Sequence, residues 1–205
     1  MPEPLRFNIS KLNAFDRRKA ADYMALYKLC AQSRKLSFDV VDYNKKQIPI
    51  EYNVTYRNVK GIIGINADKS PRFGLDHVLN IWLAPKYPQP EAKCKFLTDI
   101  WHPNVRYAGP TKGRVCYNSR DLPADYQLDE LVEFIGKMIQ YKNYHAILDK
   151  PPYPEDPEVA KWVVEYAEPL GLVDYSRSKA VDDAYLLDPI PGNEPPPKPD
   201  IEFDY

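Results

Sequence analysis

Residues 48–56 read Ile-Pro-Ile-Glu-Tyr-Asn-Val-Thr-Tyr, and Ile48, Ile50, Tyr52, Val54 and Tyr56 occupy every second position. Successive side chains of an extended strand point to opposite faces, so this period means a strand with one buried face. Other strand-like runs surround it. Leu36 to Asp42 is rich in β-formers and ends at the turn-like Asn44-Lys45-Lys46. Arg57-Asn58 reads as a tight turn, and Val59 to Ile65, Val78 to Leu83 and Lys93 to Leu97 are further runs. Asp68 to Gly74 is built of turn residues and predicts a loop. Short strands joined by short loops predict an antiparallel meander of four strands, with Leu36 to Tyr43 as an added strand.

Three helices flank these runs. The first has Asn13 as its N-cap and Asp16 in its first turn, and Tyr23, Leu26, Tyr27 and Cys30 form one stripe at helical spacing. Arg17, Arg18, Lys19 and Lys28 lie largely off that stripe and predict a solvated face. The second helix fits 127–141, opened by Gln127 or Asp125, with Leu128, Leu131, Val132, Ile135, Met138 and Ile139 as its stripe. The third is capped by Asp156, has Pro157 at its first position and carries Val159, Val163 and Tyr166. Helix, antiparallel strands, long loop and helices in that order predict an α+β domain.

Of the 205 residues, 44% are hydrophobic and 28% charged, enough for a packed core and against global disorder. The net charge of −1 is unevenly spread: residues 182–205 carry −6, leaving +5 on the rest. A near-neutral whole argues against a nucleic-acid binder. No run approaches the roughly 20 apolar residues that span a bilayer, and Met1-Pro2-Glu3-Pro4 has no signal-peptide pattern, so a cytoplasmic protein without a membrane segment is expected. The organisation reads as an N-terminal extension (1–12), a domain (13–187) and a Pro-rich acidic tail (188–205). Pro195-Pro196-Pro197-Lys198-Pro199 favours an extended conformation. The tail is a flexible appendage or a docking peptide with Ile201, Phe203 and Tyr205 as alternate anchors.

From 98 to 126 the chain is irregular, and a long coil inside a domain is uncommon unless functional. It holds Cys116, flanked by Lys112 and Arg114 and by polar residues, where a thiol is reachable and its thiolate somewhat favoured. Cys94 sits in a strand and Cys30 on a helix stripe, both as small hydrophobes. Three widely spaced cysteines with no CxxC pair argue against a structural metal or a disulfide framework. Taken alone, Cys116 with His102 and Asn104 also fits a cysteine hydrolase, provided the partners converge in space.

The run Tyr87 to Asn104, YPQPEAKCKFLTDIWHPN, resembles the ubiquitin-conjugating enzyme family, whose members carry a Tyr-Pro, a short strand and then His-Pro-Asn. Ser70-Pro71 and Gly74 match upstream. Gly113-Arg114-Val115-Cys116 matches the active-site Gly-x-Ile-Cys, and Pro154-Glu155-Asp156-Pro157 matches the Pro-Asp-Asp-Pro before the third helix. The resemblance covers about 59–167 and extends to the first helix. It implies that Cys116 accepts a ubiquitin-like protein as a thioester from an activating enzyme and passes it to a substrate lysine. No cofactor and no metal are implied. Asn104 would stabilise the developing oxyanion or organise the loop that does so. Asp156 would orient the lysine while capping its helix. His102 with Pro103 would hold the turn before Cys116. Arg17, Arg18 and Lys19 match the face offered to activating enzymes.

Departures from the pattern are specific. Eleven residues separate Asn104 from Cys116, a few more than usual, so Asn104 stands to be displaced from the thioester. Tyr117 replaces a common Leu, the family's Trp after the active site is missing, and the acidic tail replaces the last helix. This divergence resembles bacterial relatives encoded beside ubiquitin-like genes in antiviral operons. Two other readings stay open: a non-catalytic module that binds ubiquitin-like proteins, and a hydrolase using Cys116 with His102 or His145.

Overall fold

The computed structural model describes residues 4–173. The acidic tail and the last residues assigned to the domain lie outside the described residues. Helix α1 (Ala14–Ala31) starts where expected: Asn13 Oδ1 accepts a 2.8 Å hydrogen bond from the Asp16 amide. Its stripe packs inward through Tyr23, Leu26, Leu29 and Cys30. The segment before it is anchored on the same helix, with the Leu5 amide donating to the Tyr23 hydroxyl and Phe7 set edge-on to the Tyr23 ring.

The expected solvated face of α1 is only partly one. Arg17 is exposed, but Lys19, Asp16 and Asp22 are buried and Arg18 is half-buried. Lys19 Nζ donates to the Pro85 carbonyl at 2.8 Å. Arg18 pairs with Asp22 at 2.9 Å and also donates to the Tyr126 carbonyl, while Asp22 Oδ1 accepts from the Leu128 amide. Burying a charge is costly unless it is paired and hydrogen-bonded, and here the partners come from loops far along the chain.

The strands are β1 (Leu36–Tyr43), β2 (Pro49–Tyr56), β3 (Gly61–Ile65), β4 (Pro71–Gly74), β5 (His77–Trp82) and β6 (Lys93–Phe96). The main sheet is antiparallel in the order β1-β2-β5-β6, and β3 and β4 form a separate pair. Two expectations change here. Leu36 to Tyr43 is the edge strand of the main sheet and no addition; the pair set apart is β3–β4. The loop expected at Asp68 to Gly74 contains β4, because Phe73 and Arg72 pair across with Ile62 and Gly64. The buried face follows the period of β2: Tyr52 stands opposite Ile81 and Val54 opposite Leu79, which in turn faces Phe96.

Helix α2 (Leu128–Ile139) lies against that face, and all six residues of its predicted stripe are buried. Glu130 reaches back to the Gln127 amide at 2.9 Å, satisfying a donor the helix leaves open. Tyr56 donates its hydroxyl to the Val132 carbonyl, joining β2 to α2 at the centre of the core. Helix α3 (Pro157–Trp162) continues into a wider π-helical turn at Val163–Ala167. It belongs to a second core with Ile62, Trp101, Tyr141 and Tyr144. Trp162 donates its indole N–H to the Lys69 carbonyl, which ties α3 to the β3–β4 turn. The irregular segment 98–126 runs between the two cores. None of the described helices is long and apolar enough to cross a membrane.

Candidate active site

Residues 105–115 are folded as a hairpin of their own. Val105 and Val115 bridge, the Arg106 amide donates to the Arg114 carbonyl, and the Gly113 amide donates to the Arg106 carbonyl at 2.7 Å. The second arm is also tied to β6, with Phe96 donating to the Gly113 carbonyl and Val115 to the Cys94 carbonyl. Closing the hairpin brings Asn104 and Cys116 side by side. The Cys116 amide donates to the Asn104 carbonyl at 2.8 Å, and Asn104 Nδ2 donates to the Cys116 carbonyl at 3.1 Å. The extra length of the loop therefore does not displace Asn104.

Asn104 is buried, and its Oδ1 accepts from the His145 amide at 2.9 Å. The side chain pins three segments together. Its donor faces the backbone carbonyl of Cys116. His102 is fully buried. Its Nδ1 accepts from the Asn104 amide at 3.1 Å and its Nε2 faces the Asn143 carbonyl at 3.2 Å. The neutral tautomer with hydrogen on Nε2 satisfies both contacts. Burial pulls the imidazole down to about 3. A ring with both nitrogens on backbone and no access to solvent is a brace, and this removes the His102 version of a hydrolase. Pro103 is buried beside it, and its carbonyl accepts from the Asp156 amide at 2.9 Å.

Asp156 caps α3, with Oδ1 accepting from the Glu158 and Val159 amides. Its Oδ2 accepts from the Tyr107 amide at 3.0 Å, and the residue is buried. Three backbone donors occupy the carboxylate, so it does not stand open at the mouth of the site to take an ammonium. Replacing it with asparagine turns one acceptor oxygen into a donor facing an N–H. That substitution is expected to cost about 1–2 kcal/mol, read as a lower urea midpoint at unchanged slope.

The neighbouring acid, Glu155, turns instead to two arginines. Glu155 Oε1 receives Arg114 Nη2 at 2.5 Å and Nε at 2.9 Å, and Arg106 Nε lies 3.4 Å away. The glutamate side chain is 10% exposed, against 56% for Arg114 and 34% for Arg106. One arginine comes from each arm of the hairpin. The signal in the sequence was the pair of arginines flanking the loop together with two adjacent acids in Pro154–Pro157, but nothing in it said which acid turns which way.

Cys116 is the exposed cysteine; Cys30 and Cys94 are buried. Partial burial first, and the Glu155 carboxylate second, push its thiol up, while Arg114 pulls the other way. The expectation of a favoured thiolate is therefore corrected. The basic flank does not act freely, because Arg114 is engaged by Glu155. The thiol opens onto a groove of about 680 Å3 that runs past Val115 and Tyr117 to Gln89 and Pro90. Tyr117, noted for replacing a leucine, donates to the Ala92 carbonyl at 2.8 Å and meets Tyr126 at 3.2 Å. It fixes the groove's far wall to the cysteine segment. Of the basic residues assigned to a partner, Arg17 alone is fully at the surface; Lys19 is inside.

No family model and no curated protein matches the sequence. Solved structures similar to this chain include ubiquitin-conjugating enzymes. The E2 domain of a Toxoplasma gondii ubiquitin conjugating enzyme is 22% identical, with 75% of this chain and 90% of that chain covered and a TM-score of 0.48. Human ubiquitin-conjugating enzyme E2 G1 is 19% identical, with 62% of this chain and 98% of that chain covered and a TM-score of 0.42.

Proposed function

We propose that this chain is a conjugating enzyme for a ubiquitin-like protein, carrying the modifier on Cys116. The observation that supports this most is the exposed thiol at the end of an open groove, on a backbone held rigidly by Asn104. An extended, glycine-ended peptide fits such a groove, and its last carbonyl would lie beside Sγ. In the first step the Cys116 thiolate attacks the donor thioester. A new C–S bond forms, the bond to the activating enzyme's sulfur breaks, and that sulfur leaves as thiolate and takes up a proton. In the second, a neutral substrate amine attacks. The C–N bond forms, the bond to Cys116 breaks, and the proton lost by nitrogen matches the one gained by sulfur. A thioester is activated enough that neither step calls for a histidine base, which agrees with His102 being closed off. Arg17 and the outer edge of Arg18 are the basic groups left to face an activating enzyme.

Incubation with an activating enzyme, its ubiquitin-like protein and ATP is expected to give a thiol-sensitive adduct. Cys116→Ala abolishes it, and Cys116→Ser converts it to a thiol-resistant oxyester. Saturable binding of the modifier with no adduct would replace this reading with a non-catalytic binding module. Turnover of esters or peptides without any activating enzyme would replace it with a hydrolase, using His145 in place of His102.

A further inference from the structure

We infer that Glu91 selects the modifier by its tail, pairing with an arginine or lysine about two to four residues before the terminal glycine joined to Cys116. This rests on the reading of Cys116 as a thioester carrier and names the class of modifier it takes. Glu91 and Cys116 line the same groove, whose charged lining residues are Glu91, Lys93 and Arg114. Two of the three are engaged. Arg114 donates to Glu155, and Lys93 Nζ lies 5.2 Å from the centre of the Trp82 ring. Glu91 is exposed and has no hydrogen bond or ion pair among the described residues. The one uncommitted charge in the groove is therefore negative.

Its place along the groove follows from register. Lys95 and Arg114 form an antiparallel bridge, and the Val115 amide donates to the Cys94 carbonyl. Carried on, that register sets Lys93 beside Cys116 and Glu91 two residues further, which is about 7 Å of extended chain. A donor peptide laid from Sγ along the groove advances about 3.3 Å per residue, and the side chains on both partners add their own reach, which sets the spacing from the terminal glycine. The wall here adds no second anion. Burial first, with the Glu91 carboxylate among the lesser causes, pushes the phenols of Tyr117 and Tyr126 up, so both stay neutral. A guanidinium offers a carboxylate two parallel donors. At an exposed site such a pair is modest and screened by salt, so it ranks tails more than it holds them. An acidic residue at the same place meets repulsion, which widens the discrimination.

The test uses the full chain and short acetylated peptides carried as mercaptoethanesulfonate thioesters, so no activating enzyme is needed. Each ends in Gly-Gly, with arginine, glutamine or glutamate two, three or four residues before the terminal glycine and glycine elsewhere. On loading, the C–S bond to Cys116 forms and mercaptoethanesulfonate leaves as thiolate; the adduct is read by mass spectrometry at donor concentrations below saturation. At one of the three placements the arginine donor is expected to load about fivefold faster than the glutamate donor, with glutamine between them. In Glu91→Gln that ratio falls to about one, in Glu91→Lys the order inverts, and about 0.5 M salt flattens the native preference. A merely structural role would slow all donors together and keep their order, and that result overturns the inference. Slower discharge of loaded Glu91→Gln to free lysine, with the donor order unchanged, also overturns it, because the glutamate then serves the acceptor. A native chain that loads every donor alike overturns it and leaves the carrier reading standing. A native chain that loads from none of them overturns both.

Discussion

Gly113→Ala is expected to lower stability by about 3 kcal/mol and to abolish adduct formation at Cys116. Gly113 has φ +85°, where any residue with a Cβ pays about 1–2 kcal/mol. A Cβ there also runs into the Phe96 carbonyl oxygen, which is backbone and cannot swing aside. Relieving such a clash costs roughly another 1–3 kcal/mol. The residue's own amide and carbonyl bond Arg106 and Phe96, so whatever moves takes the hairpin and its link to β6 with it. A loss of this size in a chain of this length lowers the melting temperature by roughly 6–12 °C. Gly109 is the internal control. It also has positive φ, +82°, but open space where the Cβ would go, so Gly109→Ala is expected to cost only about 1–2 kcal/mol. Equal effects at the two glycines, measured by urea unfolding, would show that the contact with Phe96 is not the cause.

The second large effect is acid lability. His102 ionises near 6.5 when unfolded and is pulled down to about 3 in the fold, chiefly by burial. Between those values the unfolded chain binds a proton that the folded one refuses. Stability is therefore complete above pH 6.5 and falls as pH drops towards 3. At about 1.4 kcal/mol per pH unit, this one residue removes roughly 2.7 kcal/mol by pH 4.5. Burial also lowers His77 and His145, which adds to the loss. Asp22, raised by its burial, acts in the opposite direction above pH 4 and offsets part of it. Urea midpoints taken at steps from pH 7.5 to 4.5 are expected to decline steadily below 6.5. His102→Gln should be less stable at pH 7.5 but flatter across that range. A native profile that stays level down to pH 4.5 would mean that the ring is not held neutral as described.

What could be read from the sequence was whatever depends on near neighbours in the chain. The stripe of α2 and the alternation of β2 are local periods, and both faces are buried as the periods require, apart from a half-buried Ile50. Asn13 and Asp156 cap the helices that begin beside them. What could not be read depends on partners far along the chain. Lys19 and Asp22 look like surface charges until Pro85 and Leu128 are brought to them. β4 is made of turn residues and is a strand only because β3 lies across from it. Glu155 and Asp156 are adjacent acids of the same chemistry. Which one meets the arginines and which one caps the helix is set by the direction in which the backbone enters α3.

The hairpin between Asn104 and Cys116 separates two kinds of distance. Its rungs at Val105–Val115 and Arg106–Arg114 hold the two residues in register, while the tip from Ala108 to Thr111 is at the surface and Gly109 has empty space around it. Residues added or removed at that tip change how far apart the asparagine and the cysteine are along the polypeptide without changing how far apart they are in space. Counting positions between the two is thus no measure of whether such a centre is intact; the rungs are.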